Sequence, residues 1–419
     1  MKYLILTYIV LIAIAVPFWT VDDAYISWSY AQNLVDGNGL VFNVGERVEG
    51  YTGILWVFIA AGMLALKLNV LIISKALSLI LLGIGAWLLY RMIDKEIKWY
   101  AVLLYLMPIQ FIHAYSGMET ILFGTLIIWA FHDYHFKKSG YVPLILLCLV
   151  RPEGIVIAGA MALFYAKRKE YSQLLVVFVT TIIYLAFKYA YYGAILPQSY
   201  AIKENGITAI ELIVLGVVWI YTAWKHKDIT IYISLILALF YVGYYKANLL
   251  MGYADRFYVP LLGIAIFAVF ELTKKYSKRL KPYYLVLAIL FTGTQLRVNI
   301  DWMKEYKVTI SNLEEIGKSL KEYNNVVAWD IGATKFYSKA NVIDMVGLTD
   351  KQIGSGKDVV NYVYSKKPDA FALPSKKSDG IMYHKYWLPE LLNDPRFKEY
   401  KHINTFKGIN RHYHVFGKN

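Results

Sequence analysis

Residues 21–56 read VDDAYISWSYAQNLVDGNGLVFNVGERVEGYTGILW. The stretch begins where the first hydrophobic run ends, and it sets two adjacent carboxylates, Asp22 and Asp23, at the head of an aromatic-rich helical pattern over 24–35. Gly37 is placed to end that helix; Gly39 completes a turn, and a charged cluster of Glu46, Arg47 and Glu49 follows. Carboxylates at the mouth of a membrane helix are costly to bury, so they are either solvated or used. One of them can serve as an N-cap, worth about 1 kcal/mol. That leaves the second without a structural task.

Working outward, the composition shows why this mouth borders a membrane. Of 419 residues, 58% are hydrophobic and 18% charged, against roughly 25% charged in soluble domains; mean hydropathy is +0.43. Apolar runs of about 20 residues, long enough to cross roughly 30 Å of hydrocarbon, recur through 1–299 and predict a polytopic α-helical protein of the cell membrane. The net charge of +14 does not point to nucleic acid, because Lys and Arg fall in short loops between apolar runs, where they orient helices, and in a mixed-charge C-terminal region. The single cysteine, Cys148, lies inside an apolar run and leaves no intrachain disulfide.

The expected spans follow from that charge pattern. Residues 3–20 are read as a membrane helix and not a cleaved signal, since no small-residue cleavage site precedes Val21. With the N-terminus inside, Asp22 and Asp23 lie just outside, in a first external loop over 21–69. Residues 52–66 are read as a juxtamembrane or re-entrant helix, because a crossing there would put the basic loops 91–98 and 137–138 outside. The spans then run 70–90, 99–115, 121–134, a segment 141–166 broken by Arg151-Pro152-Glu153-Gly154 into two short helices, 174–192, 208–224, 229–250, 257–272 and 283–298. This makes about eleven membrane helices. From residue 300 the chain turns mixed-charge, with short buried strands expected at 326–329, 341–345 and 370–373 and a helix at 357–365; this predicts an extracytoplasmic α/β domain over 300–419.

The topology gathers the unusual residues on the outer face. A general base needs a carboxylate whose partner charges hold its pKa in a useful range. The cations available to complete such a site are Arg151, Arg256, Lys203, Lys188 and Arg47. Each has a plainer reading: Lys188 and Lys203 can snorkel to the interface, Arg151 and Arg256 can pair with Glu153 and Asp255, and Glu119 can cap a helix. Their collective placement favours a site. No metal-ligand cluster, nucleotide fingerprint or internal repeat is present.

The 22–56 stretch resembles the first external loop of the GT-C superfamily of membrane glycosyltransferases that use polyprenyl-phosphate sugars, and is most similar to its terminal arabinofuranosyltransferase-like branch. The resemblance extends to SGMET (116–120), LVRPEG (149–154), KYAYYGAILPQSYAIK (188–203), ADRFYVP (254–260), DIGATKFYS (330–338) and VIDMVGLTD (342–350). The chain departs from the branch where an arginine is expected and Lys188 stands, where Gln198-Ser199 follows Leu196-Pro197, and where the acidic glycine motif before Arg256 is shortened.

The resemblance implies a polyprenyl-phosphate sugar donor lying in the bilayer and an envelope glycan, lipid or protein acceptor. Phosphate leaves readily, so the chemistry needs one carboxylate to take the acceptor proton and cations to neutralise the leaving group. The expectation is that Asp22 is the base of an inverting displacement and Asp23 positions the acceptor or sugar. Arg256, Lys203, Arg151 and Lys188 bind phosphate, while Glu119, Glu153, Arg47, Glu49, Tyr192 and Gln198 position substrate. No cofactor is implied with certainty; a divalent cation on Asp22 or Asp23 stays open. A multi-pass transporter or flippase of lipid-linked glycans is the alternative, since intramembrane charges and broken helices also mark substrate pathways. A non-catalytic glycan-binding scaffold is a third reading.

Overall fold

The computed structural model describes residues 2–199, 253–356, 358–376, 380–381 and 388–418, with the isolated positions 233, 236 and 237. Apart from those positions, the expected spans at 208–224 and 229–250 lie outside the described residues, as does Lys203.

The first half is helical: α1 (Lys2–Ala15), α2 (Asp22–Val35), α3 (Ile54–Ala65), α4 (Val70–Met92), α5 (Lys98–Tyr105), α6 (Pro108–Tyr115), α7 (Thr120–His135), α8 (Tyr141–Val150), α9 (Pro152–Lys167) and α10 (Ser172–Tyr192). Among the described residues three helical stretches are long and apolar enough to cross a membrane, Val70–Met92, Ser172–Tyr192 and Tyr253–Thr273. The 12 residues of α3 reach only ~18 Å, too short for a crossing. The span expected at 99–115 is instead two short helices, α5 and α6. Pro108, which has no N–H to continue a helix, stands at the start of α6 with Met107 extended before it. The break at Arg151 is present: its backbone is extended (φ −159°, ψ 153°) and Pro152 opens α9. The two helices fold so closely there that a Cβ on Gly154 would meet the Leu147 carbonyl oxygen.

After the stretch that is not described come α11 (Leu262–Thr273) and the 43-residue α12 (Ser277–Ser319). The latter contains the span expected at 283–298 and continues without interruption past residue 300, ~65 Å in all. Over 285–291 it keeps Leu285, Val286, Ile289, Leu290 and Phe291 exposed.

The C-terminal region is built as β1 (Asn325–Ala328), α13 (Gly332–Ser338), β2 (Asn341–Asp344), α14 (Lys351–Ser355), α15 (Val359–Ser365), β3 (Ala370–Lys376), β4 (Gly380–Ile381), α16 (Leu388–Asn393), β5 (Lys401–Lys407) and β6 (Arg411–Gly417). The sheet order is β2-β1-β3-β6-β5, with β4 on the far end of β3. Strands β2, β1 and β3 are parallel, and β6 and β5 close the sheet antiparallel. The third strand runs through Pro374, where the sequence suggests a stop. Its pairing with β1 ends at Ala372, so the missing N–H of Pro374 breaks no bond to β1.

Strand alternation splits the sheet between two cores. Val327, Ile343, Phe371 and Leu373 pack under α15 and α16. Their neighbours Val326, Ala328, Val342, Ala370 and Ala372 belong to the same continuous apolar cluster as Trp28, Ala31 and Trp56 of the helical part. One face of the sheet is thus laid against α12 and α13, and α13 packs in turn on α2.

Candidate active site

Helix α2 begins at Asp22, with Val21 extended as its N-cap and no side-chain cap; the Val21 N–H donates to the Ser116 carbonyl at 3.0 Å. Both aspartates therefore stand in the first turn, where the helix dipole favours negative charge. Successive residues on a helix point about 100° apart, and here the two carboxylates reach different regions.

Asp22 is 4% exposed. Its Oδ2 accepts the Gly332 N–H and its Oδ1 the Ala333 N–H, each at 2.8 Å. It caps a helix after all, but α13 of the sheet region. The approach is close enough that a Cβ on Gly332 would lie 2.0 Å from the Asp22 carbonyl oxygen. Burial first, then the Asp330 charge, pushes the Asp22 carboxyl up to about 7, against the two N–H donors.

Asp23 instead points into a cavity walled also by Ile26, Ser27, Tyr51, Arg151, Glu153, Ser199, Arg256 and Leu348. Its Oδ2 accepts from Arg256 Nη1 at 2.8 Å. Arg256, 5% exposed, pairs across the fold with Asp23; pairing with the adjacent Asp255 was the local alternative. It is delivered by a turn in which Ala254 (φ 44°) and Asp255 (φ 53°) are both left-handed, a conformation costing roughly 1–2 kcal/mol per residue. His113 Nε2, 2.7 Å from the Ala254 carbonyl, holds that turn. Arg256 Nε and Ser199 Oγ are buried at the cavity without a hydrogen-bond partner among the described residues.

The other expected residues divide between this cavity and its support. Arg151 lies in the wall, with Nη1 2.7 Å from Glu119 Oε1 and Nη2 3.2 Å from Glu153 Oε1; two carboxylates already meet its charge. Lys188 is not at the cavity: its Nζ sits 2.9 Å from Glu49 Oε2 in a pair with both side chains 2% exposed. Burial raises the Glu49 carboxyl to about 7 although Lys188 opposes the shift. Arg47 lies over the Tyr191 ring, 4.7 Å from its centroid. The Tyr192 hydroxyl donates to the Leu40 carbonyl at 2.8 Å and lies 3.1 Å from the Tyr51 hydroxyl, so it steadies a wall residue. The Gln198 N–H donates to the Glu49 carbonyl at 3.0 Å and so fixes its neighbour Ser199. For a metal, Asp22 and Asp23 do not fit as joint ligands, since they face the α13 amides and Arg256 respectively. Among the described residues no group of three or more His, Cys, Asp or Glu is gathered for one.

Several wall residues carry no charge and escaped the sequence reading. Ile26 and Ser27 follow Asp23 at i+3 and i+4, so the helical period alone could have found them. Leu348 comes from the sheet region. Buried Asp344 accepts the N–H groups of Val346 and Thr349 at 2.8 and 2.7 Å, folding 344–349 into the turn that carries Leu348 to the cavity. The facing strap is fixed from α2: Asn33 Nδ2 donates to the Val41 and Phe42 carbonyls, and the Tyr30 hydroxyl donates to the Val48 carbonyl while accepting the Gly50 N–H.

Comparison with known proteins adds three findings. Residues 294–416 match a domain of unknown function (DUF8728), which starts inside α12 and takes in the whole sheet. The terminal β-(1→2)-arabinofuranosyltransferase of Mycobacterium tuberculosis (strain ATCC 25618 / H37Rv) is 27% identical over 221 residues, covering 44% of this chain and 35% of that protein. The matched part thus spans about a third of the relative's length. ArnT from Cupriavidus metallidurans superposes on 99% of this chain and 97% of its own, with a TM-score of 0.55 and 9% identity in its undecaprenyl-phosphate complex. The apo state of the same protein gives 0.56 and 8%. The resemblance read from the motifs stands in these comparisons as well, and the chain shares the fold of ArnT.

Proposed function

We propose that the chain is an inverting glycosyltransferase that moves a sugar from a polyprenyl-phosphate donor to an envelope glycan, lipid or protein acceptor at the outer membrane face, with the C-terminal sheet region on that side. The carrying observation is the cavity where Asp23 meets Arg256 while Arg256 Nε and Ser199 Oγ have no hydrogen-bond partner among the described residues. The relative's name and the lipid phosphate in the ArnT crystal support the donor class.

The geometry favours Asp23 over Asp22 as the proposed base. Both Asp22 oxygens are engaged by backbone amides at the seam between α2 and α13, whereas Asp23 faces the cavity. In the reaction the acceptor oxygen attacks the anomeric carbon, its proton passes to Asp23, and the bond from that carbon to the phosphate oxygen breaks with both electrons leaving on phosphate. Arg256 meets the charge that develops there; a group fixed in advance inside a water-poor site is worth more than in water. Glu119 and Glu153 already flank Arg151, which therefore shapes the wall and positions Glu153. Lys203 keeps its proposed phosphate role from the motif alone.

The test is transfer by purified protein in nanodiscs with a panel of polyprenyl-phosphate pentoses and hexoses, wild type beside Asp23→Asn. Release of polyprenyl phosphate by wild type alone supports both reaction and base, and the active donor names the sugar. Equal release by both removes Asp23 from the chemistry. Silence with every donor and acceptor, together with movement of a lipid-linked glycan across the bilayer, would replace the enzyme by a flippase.

A further inference from the structure

A second cavity lies at the outer edge of the sheet, walled by Asn43, Val44, Glu46, Asn325, Asn341, Ile343, Asp350 and Lys366. The two cavities draw different residues from the same two segments. The strap that gives Gly50, Tyr51 and Thr52 to the first gives Asn43, Val44 and Glu46 to the second, and the turn that gives Leu348 to the first gives Asp350 to the second. Two residues of extended chain span at most ~7 Å, so Leu348 and Asp350 keep the cavities adjacent.

Most polar groups in this wall already have partners. Asn43 reads the edge strand like a further strand, donating to the Val342 carbonyl and accepting its N–H, both at 2.9 Å. Lys366 Nζ holds Glu46 Oε1 at 2.7 Å. Asp350 accepts the N–H groups of Gln352 and Ile353 and the Tyr362 hydroxyl. The exceptions are Asn325 and Asn341, whose carboxamides make no side-chain hydrogen bond among the described residues. They are register partners at the heads of parallel β1 and β2, so they stand on the same face about 4.8 Å apart. Each offers two donors and an acceptor. A pair of neighbouring amides fits adjacent hydroxyls, each of which donates and accepts. The Lys366–Glu46 pair leaves no surplus cation for an anionic ligand.

We propose that this cavity is a binding subsite for a neutral, polyhydroxylated sugar, and that it holds a saccharide unit of a glycan acceptor next to the reacting end. The second clause rests on the glycosyltransferase reading; the first does not. Asn325 and Asn341 are its specificity-determining residues.

The experiment is saturation-transfer NMR on the full chain in nanodiscs. The probes are methyl glycosides and short oligosaccharides of neutral pentoses and hexoses, with a uronic acid and an amino sugar beside them. Wild type is expected to bind a neutral sugar, and Asn325→Ala with Asn341→Ala to bind it roughly tenfold more weakly or worse, since two hydrogen bonds are lost. Asn341→Trp, which fills the cavity from an exposed position, is expected to abolish binding. Unchanged binding in either variant, preference for a charged sugar, or no binding of a neutral sugar by wild type overturns the assignment. Hydrolysis of the polyprenyl-phosphate donor without acceptor is measured on the same wild-type sample. Sugar binding without any donor turnover would leave the subsite standing and remove the transferase reading; turnover without sugar binding would do the reverse.

Discussion

The seam around Asp22 and the cavity around Asp23 are set by consecutive residues of one helix turn, yet they solve opposite problems. At the seam a carboxylate is enclosed, both oxygens are bound by backbone amides of α13, and the glycine it faces has no room for a side chain. At the cavity the neighbouring carboxylate meets a guanidinium beside open volume, and Arg256 Nε and Ser199 Oγ are without hydrogen-bond partners among the described residues. A satisfied polar group fastens two parts together; an incompletely satisfied one is ready for a ligand. The difference lies in what the rest of the chain brings to each, not in the residue type.

That contrast can be broken at either end. The largest effect is expected from Asp23→Asn, which keeps the shape and removes the base. Turnover should fall by about 10²–10⁴ in a protein whose melting temperature stays near wild type, read as release of polyprenyl phosphate. Arg256→Lys keeps a charge but loses the planar fork; a loss of about 10²–10³, carried by kcat, is expected. Retention of full activity there would detach the guanidinium from the leaving group.

Seam variants should move stability instead. Gly332→Ala forces a methyl against the Asp22 backbone and should cost about 1–3 kcal/mol, seen as a lower melting temperature in detergent. Asp22→Asn should leave turnover within about tenfold, an effect near 1 kcal/mol, and should change the pH dependence of stability. The folded Asp22 carboxyl titrates at about 7, above the ordinary value of 3.8, so the folded state holds a proton that the unfolded state has released. Its contribution is full below about 4 and is lost as pH rises through about 7. The melting temperature of wild type should therefore carry a downward slope over that window that Asp22→Asn flattens; Glu49, raised in the same direction, retains its own share. The smallest effect is expected from Arg47→Ala, about 0.5–1 kcal/mol from the lost stacking on Tyr191, with transfer unchanged.

Much of the fold was legible because its causes are local. Apolar run length marks spans such as α4 and α10, Pro152 and Gly154 mark the α8/α9 break, and alternation marks β1 and β2. Misreadings came where a local rule competed with context. Pro108 divided a run that composition alone joined, Pro374 did not end a strand whose edge there is not paired to β1, and α12 crossed a change of composition without changing backbone. Strands β5 and β6, with mixed-polarity sequences, carry burial patterns that only the pairing of β6 to β3 and of β5 to β6 explains.

The sequence by itself determined a helical membrane protein with a mixed-charge end, and offered the Asp22-Asp23 pair with a set of candidate cations. These depend on hydrophobicity, proline and motif spacing, all properties of short segments. Only the tertiary structure decided which aspartate faces the cavity, that Arg256 turns to Asp23, that Lys188 and Glu49 form a buried pair apart from it, and that Leu348 completes the wall. Each of these joins residues far apart in the chain, as Asp22 with Gly332 and Asp23 with Arg256 do. The direction of a side chain at such a junction is fixed by what packs against it.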